Sequence, residues 1–282
     1  RDRFRDAFVS ARTRNTTTPG LDSEKVLGVD LSYNLNLPWI TARVSGYYTS
    51  VADQSKVISY YDDTQSSFTN FAMSGIDKVH FGLEAAVSIP IYHTLALNGA
   101  VSWGQYTYDS NPYYLQTQDN SGDIVSDGYV YWKDFRVEST PQTAVNVGLS
   151  WRSNNNIYLS ADFNYYNNMY LSMSPIYRTD AVITGGMAPG DIEHLRRQEK
   201  FDSAYTLNAS IGKNWYIHRK YTLGFSLDVK NILNNQDIKT GGYEQTRLSK
   251  NTETTVTTYQ AFDSKYFYMF GTTYYLNLYF RF

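Results

Sequence analysis

Three features of this 282-residue sequence predict an all-β fold, part of an antiparallel transmembrane β-barrel. Apolar and polar residues alternate with period two in about nine segments, and none holds a convincing 3.6-residue period. Nearly every apolar face has about five positions. At ~3.3 Å per residue and a ~40–45° tilt, that makes a band roughly 20 Å tall, close to the ~25 Å of an outer-membrane barrel. Short and long connections alternate strictly, as expected when all turns lie on one side of a membrane and all loops on the other.

The first ~20 residues, ending Arg12-Thr13-Arg14-Asn15-Thr16-Thr17-Thr18-Pro19-Gly20, read as polar loop. Leu27, Val29, Leu31, Tyr33 and Leu35 then alternate with Gly28, Asp30, Ser32 and Asn34. After Asn36-Leu37-Pro38, Ile40, Ala42, Val44, Gly46 and Tyr48 alternate with Thr41, Arg43, Ser45 and Tyr47. The pattern returns from Val79 (Phe81, Leu83, Ala85, Val87, Ile89) and from Leu95 (Leu97, Gly99, Val101, Trp103). Further copies begin at Thr143, Ile157, Tyr205, Tyr221 and Phe270. Connections near 35–39, 89–94, 152–156 and 214–220 are short, the periplasmic turns of such a barrel. Those near 50–77, 107–142, 167–203 and 231–265 are roughly 25–40 residues each, the extracellular loops. Trp39, Trp151 and Trp215 mark the turn-side ends of the strands, while Tyr48, Phe81, Trp103, Tyr165 and Tyr205 mark the other ends. These are the two aromatic girdles of a bilayer-spanning barrel.

Composition agrees. Lys and Arg number 25 against 27 Asp and Glu, a net charge of −2 that gives no reason to expect nucleic acid as a partner. Cys is absent, which excludes disulfides and thiolate metal sites. The 27 Tyr, 14 Phe and 5 Trp suit strands and surfaces where one end of a ring is apolar and the other wet. Mean hydropathy is −0.46, and no apolar run approaches the ~18–20 residues of a membrane helix. The chain opens Arg1-Asp2-Arg3-Phe4-Arg5-Asp6, without an initiator Met or a secretory signal, which suggests a piece of a longer precursor. About nine strands is an odd number, whereas single-chain bacterial barrels have even counts. Residues 1–282 are therefore expected to be the C-terminal part of a larger barrel, with the other strands N-terminal to Arg1.

Four segments carry a resemblance. They are Gly20-Leu21-Asp22-Ser23-Glu24-Lys25-Val26-Leu27-Gly28-Val29-Asp30, Asn231-Ile232-Leu233-Asn234-Asn235-Gln236, Gly241-Gly242-Tyr243-Glu244-Gln245-Thr246-Arg247 and the terminal Leu278-Tyr279-Phe280-Arg281-Phe282. In order and spacing they resemble the C-terminal barrel half of TonB-dependent outer-membrane transporters, particularly the SusC/RagA-like and carboxypeptidase-regulatory-domain relatives. The resemblance implies a 22-stranded barrel in a Gram-negative outer membrane, with a plug domain and a TonB box outside this chain. It implies as partners the rest of the same barrel, the plug, the TonB complex, the lipid bilayer and, in some relatives, a surface lipoprotein lid. It also implies that the terminal aromatic strand, Phe280 and Phe282, is read by barrel-assembly machinery; the alternative is that Phe282 only completes the lower apolar band.

No catalytic signature is present: no Gly-x-Ser-x-Gly elbow, phosphate loop or His-Glu-x-x-His. Neither enzymatic activity nor a cofactor is expected. His80, His93, His194 and His218 are scattered, and His80 and Glu84 on one strand lie ~13 Å apart, too far to share a metal. Asp30, Arg43, His80, Glu84, Asp162, Asp228 and Lys230 all fall on the inward phase. They either contact a plug or line a substrate path, as the resemblance implies, or simply keep a wet interior. In the long loops, Tyr113, Tyr114, Tyr129, Tyr131, Trp132, Tyr170 and Tyr177 are candidates for stacking on a ligand, or for packing among themselves. Asp119-Asn120-Ser121-Gly122-Asp123 and Asp127 depart from EF-hand spacing and read as a solvated turn. The leading function is part of an active importer of an oligopeptide, glycan or metal chelate. The alternatives are a passive channel or adhesive barrel, and a soluble glycan-binding β domain.

Overall fold

The computed structural model describes residues 8–10, 15–63, 65–119, 121–138, 140–185, 192–193, 196–218, 220–251 and 258–282. His194 lies outside them. The strands in chain order are β1 (Phe8–Ser10), β2 (Asn15–Thr17), β3 (Lys25–Leu37), β4 (Ile40–Asp62), β5 (Ser67–Tyr92), β6 (Leu95–Tyr108), β7 (Tyr113–Gln118), β8 (Ile124–Tyr129), β9 (Thr143–Arg152) and β10 (Ile157–Asn167). A 3-10 turn (Ile176–Arg178) and the short helix α1 (Asp180–Ile183) follow. Then come β11 (Ala204–Ile217), β12 (Tyr221–Lys230), β13 (Lys239–Tyr243), β14 (Leu248–Asn251), β15 (Thr258–Ala261), β16 (Lys265–Tyr268) and β17 (Thr273–Arg281). Among the described residues, no helix is long and apolar enough to cross a membrane.

One antiparallel sheet dominates. Its strands run β17-β12-β11-β10-β9-β6-β5-β4-β3, with β7 and β8 attached beside the upper part of β5. Register keeps the two phases separate across the whole path. Leu31 pairs with Gly46, Gly46 with Leu83 and Leu83 with Trp103. Further along, Leu149 pairs with Ala161, Ile211 with Leu227 and Leu227 with Leu276. Leu83 sits on a central strand yet is 57% exposed, and the outer face around it is apolar throughout. A continuous apolar surface of this extent needs lipid or another protein against it.

The turns are tighter than the sequence suggests. Pro38 and Trp39 alone join β3 to β4, and His93 and Thr94 alone join β5 to β6. Asn156 (φ 56) and His218 (φ 50) take the left-handed conformation in the other two, which short polar side chains such as Asn tolerate.

The loop side departs from expectation. The first ~20 residues, expected as polar loop, contain the β1–β2 hairpin, where the β-branched Thr16 and Thr17 suit a strand. Within 50–77, residues 50–62 and 67–77 are not loop but the upper halves of β4 and β5, which pair on to Asp62 and Ser67. The register slips between Val51 and Lys56, and Gly75 is left-handed at φ 72, so the alternation changes phase there and hides the strands. The last strand begins at Thr273 rather than Phe270.

The buried core of the chain lies in this upper part. Tyr60, Phe71, Met73, Ile76, Tyr108, Tyr114, Val130, Trp132, Met173, Ile176, Tyr177 and Val182 form one cluster. Ile76 and Tyr108 carry on the inward phase of His80 and Tyr106, and Lys78, on the same face, lies 5.4 Å over the Tyr108 ring. The long connections therefore fold over the inner face as a cap with its own core.

Candidate functional site

The inner face is built by register. Arg43 pairs with Ala86, Ser45 with Glu84 and Glu84 with Ser102, while Gly148 pairs with Asp162 and Ser210 with Asp228. All seven inward charged candidates, Asp30, Arg43, His80, Glu84, Asp162, Asp228 and Lys230, share this face. Arg43 Nη2 donates to Ser32 Oγ at 3.2 Å, and Ser32 in turn donates to Asp30 Oδ1 at 3.1 Å. Amides and hydroxyls bridge neighbouring strands: Ser88–Asn98–Ser150, Asn146–Asn164–Thr206 and Ser160–Ser210. Arg43, Ser45, Glu84, Ser102, Asn146 and Asn164 line a concavity of ≈ 430 Å³.

Sequence reading missed a set of tyrosines lying across inward glycines. A Cβ at Gly212 would overlap the Tyr158 ring, one at Gly224 the Tyr279 ring, and one at Gly82 or Gly104 the hydroxyl end of Tyr47. Each ring crosses the glycine of the neighbouring strand and finds a polar partner one strand farther on. Tyr47 and Tyr106 share a hydroxyl hydrogen bond of 2.6 Å, Tyr158 donates to Phe225 O, and Tyr279 to Asn214 Oδ1. The legible signal was glycine on the inward phase opposite or one strand from Tyr. Gly82 also separates His80 from Glu84, which the fold does not bring together. His80 rests against the Tyr106 ring at 4.8 Å, and its Nε2 has no hydrogen-bond partner among the described residues.

In the cap, Tyr113 donates to Asp127 Oδ2 at 2.7 Å and meets Tyr129 edge-on at 5.8 Å. That carboxylate holds the Tyr113 hydroxyl up at about 12. Asp180 Oδ2 accepts from Tyr129 N–H, and a hydrogen bond to Asp180 also pushes the Tyr131 hydroxyl up. Tyr129 and Tyr131 are exposed, and Tyr170 is half-buried where it bridges Lys200. Tyr114, Trp132 and Tyr177 are buried in the cap core, which favours their packing among themselves over stacking on a ligand, and Tyr114 also borders a small pocket beside β7. Each is flanked by core partners: Tyr114 stacks on Phe71 at 4.6 Å and Trp132 on Tyr108 at 4.7 Å.

One segment fastens the cap. Arg178, with no exposed side-chain surface, donates from Nη1 to Glu244 Oε2 at 2.6 Å and from Nη2 to Glu244 Oε1 at 2.9 Å. Three residues on, Arg247 makes a second two-bond pair with Asp63 at the β4–β5 tip, at 2.8 and 2.9 Å. Residues 244–247 thus join three connections distant in sequence.

Neither a protein-family model nor a curated protein matches the sequence. Solved structures do. The copper transporter OprC superposes with a TM-score of 0.54 at 13% identity, over 92% of this chain and 31% of OprC. The outer membrane transporter YddB from Escherichia coli gives 0.52 at 12% identity, over 94% of this chain and 34% of YddB. The fold is that of an outer-membrane transporter barrel. The chain spans about a third of either barrel protein, and at this identity the likeness concerns architecture alone.

Within the barrel, β17 places Phe280 beside Leu223 on the outer face, with its ring 5.7 Å from Tyr221 and 6.3 Å from Phe282. Outer-face rings also meet near the loop side, Phe81 with Trp103 at 6.2 Å and Phe163 with Tyr205 at 6.2 Å. Among the described residues, no three His, Asp or Glu side chains gather as a metal site.

Proposed function

We propose that these residues form the last nine strands of a 22-stranded TonB-dependent barrel in a Gram-negative outer membrane, importing an oligopeptide, glycan or metal chelate. The observation that carries this reading is the unbroken outer apolar face across nine strands, closed at its loop end by a cap folded over the polar inner face. A passive pore needs no such cover. In this reading Asp30, Arg43, Glu84 and Asp162 meet a plug domain, the plug and remaining strands belong to the same protein, and TonB engages it through an N-terminal segment. Tyr113, Tyr129 and Tyr131 face the incoming solute or a surface lipoprotein lid. Phe280 and Phe282 serve as the assembly signal.

The test uses the full-length protein in its own cell. It should fractionate with the outer membrane, and solute uptake should stop when TonB is deleted while the amount of folded barrel is unchanged. Uptake that persists without TonB would favour a passive channel instead.

A further inference from the structure

The turn ends of the sheet carry a charge bias that the chain as a whole lacks. Residues 35–42, 88–97, 150–158, 213–224 and 277–282 cover the turns, the strand ends beside them and the end of β17. They hold Arg152, Lys213, Arg219, Lys220 and Arg281 and no acidic residue. All 27 Asp and Glu lie elsewhere, in a chain whose net charge is only −2. Among the described residues, Arg152, Lys213, Lys220 and Arg281 make no ion pair. The rim is basic and uncompensated.

Two of these cations stand on the outer face. Lys213 takes the outward phase of β11, between Ile157 and Phe225 on the neighbouring strands. Among the described residues, it is the only charged side chain on the outward phase between the two aromatic girdles. A charge on that face is unfavourable at mid-bilayer and accepted only near an interface. Lys213 meets the demand by leaning: its Nζ lies 5.3 Å over the ring of Trp215, the next outward residue toward the turn. Lys220, the last residue of that turn, lies 5.4 Å over the outward ring of Tyr221. Both ammoniums therefore sit against girdle rings, at the depth where the apolar interior of a bilayer gives way to headgroups. Beside them Trp215 meets Phe225 at 5.9 Å, and Leu223, paired with Trp215, is 44% exposed. An acidic soluble protein would satisfy the cations and leave this apolar track bare. A lipid with a net negative headgroup satisfies both.

We propose that the β11–β12 corner binds an anionic phospholipid of the leaflet that meets the turns, with its phosphate at Lys213 and Lys220 and an acyl chain along Trp215, Leu223 and Phe225. The site goes beyond the importer reading and rests on it only for the membrane around the barrel.

The experiment is native mass spectrometry of the full-length protein in detergent, titrated with phosphatidylglycerol or with phosphatidylcholine of the same acyl chains. Phosphatidylglycerol should be retained about twentyfold more tightly. Lys213→Gln with Lys220→Gln should weaken it about fivefold for each lysine removed and leave phosphatidylcholine unchanged. Lys213→Arg with Lys220→Arg should keep the preference, and so should Lys133→Gln with Lys265→Gln, which removes equal charge on the loop side. Equal retention of the two lipids, or equal loss from the two Gln pairs, would overturn the proposal. Displacement by inorganic phosphate would also overturn it, by assigning a plain anion site, and poly-glutamate binding as tight as the lipid would assign an acidic protein instead. If the Lys213 and Lys220 Gln pair fails to fold, the lipid series and the competitors still decide. TonB-dependent uptake without a lipid preference would remove this site and leave the importer reading; the preference with TonB-independent uptake would do the reverse.

Discussion

Arg178 shows how much a single charge can demand of its surroundings. Taking a guanidinium out of water is tolerable only where hydrogen bonds replace the lost hydration. Here Glu244 supplies two, and the carbonyls of Ser174 and Arg197 accept one each. Arg178→Met should destabilise the cap by ~3–5 kcal/mol, because Glu244 is left half of a broken pair. Arg178→Met with Glu244→Met should recover much of that loss, since two apolar groups replace a pair whose desolvation offsets most of its attraction. Thermal unfolding followed by Trp132 fluorescence checks both. Titration gives a second residue-scale prediction. Tyr113 is held up at about 12 by its bond to the Asp127 carboxylate, and Tyr177 at about 12 by burial. A folded-state value above the unfolded ~10 means the native cap holds its protons more tightly than the unfolded chain. Cap stability is then fully present below pH ~10 and falls as pH rises toward 12. Tyrosinate absorbance should appear together with cap opening in that window; tyrosinate forming well below it, with the cap intact, would contradict the assignment.

At the scale of strands, phase is the testable quantity. Val101 faces outward and Ala100 inward on the same strand, both exposed, and Ala100 pairs with Ala86 and with the inward Asn146. Val101→Arg should cost about 2–4 kcal/mol at mid-bilayer and lower the yield of folded barrel, while Ala100→Arg should be accepted. Comparable yields would mean the faces are reversed. This phase was legible in the sequence because lipid imposes the same demand on every strand: Leu31, Leu83 and Leu276 read as outward long before their pairing is known. Turn positions were legible for the same reason, since an apolar face must stop where the bilayer does. The upper halves of β4 and β5 were not. Their register slip and the left-handed Gly75 reset the alternation, and their face packs on protein rather than lipid. The cap was less legible still, because its fastenings join residues such as Asp63 and Arg247, 184 apart, and no local pattern announces a pair at that distance. The motif around Gly242 stood out as a resemblance, yet its spacing gave no hint that Glu244 and Arg247 hold the loops together.

For the whole molecule, the decisive feature is the sheet's two edges. Among the described residues β3 pairs only with β4 and β17 only with β12, so 13 residues at one edge and nine at the other have a bare hydrogen-bonding side. In water such an edge invites further strands; in hydrocarbon each unsatisfied backbone group costs several kcal/mol, and only a closed sheet avoids that. The cap cannot compensate, because its core joins the upper strands and touches neither edge. Produced alone in detergent, the 282-residue chain should therefore associate through β3 and β17 and give a spread of sizes in light scattering, not one monomeric species. Chain pairing at the edges also predicts a remedy in kind. Proline at Leu31 and Leu278 removes a donor from each edge strand and should shift the distribution toward smaller species without restoring heat resistance. A monodisperse, heat-resistant monomer of the unaltered chain would mean that β3 and β17 find each other and close a nine-stranded barrel. The proposal of a larger 22-stranded barrel would then fall with it.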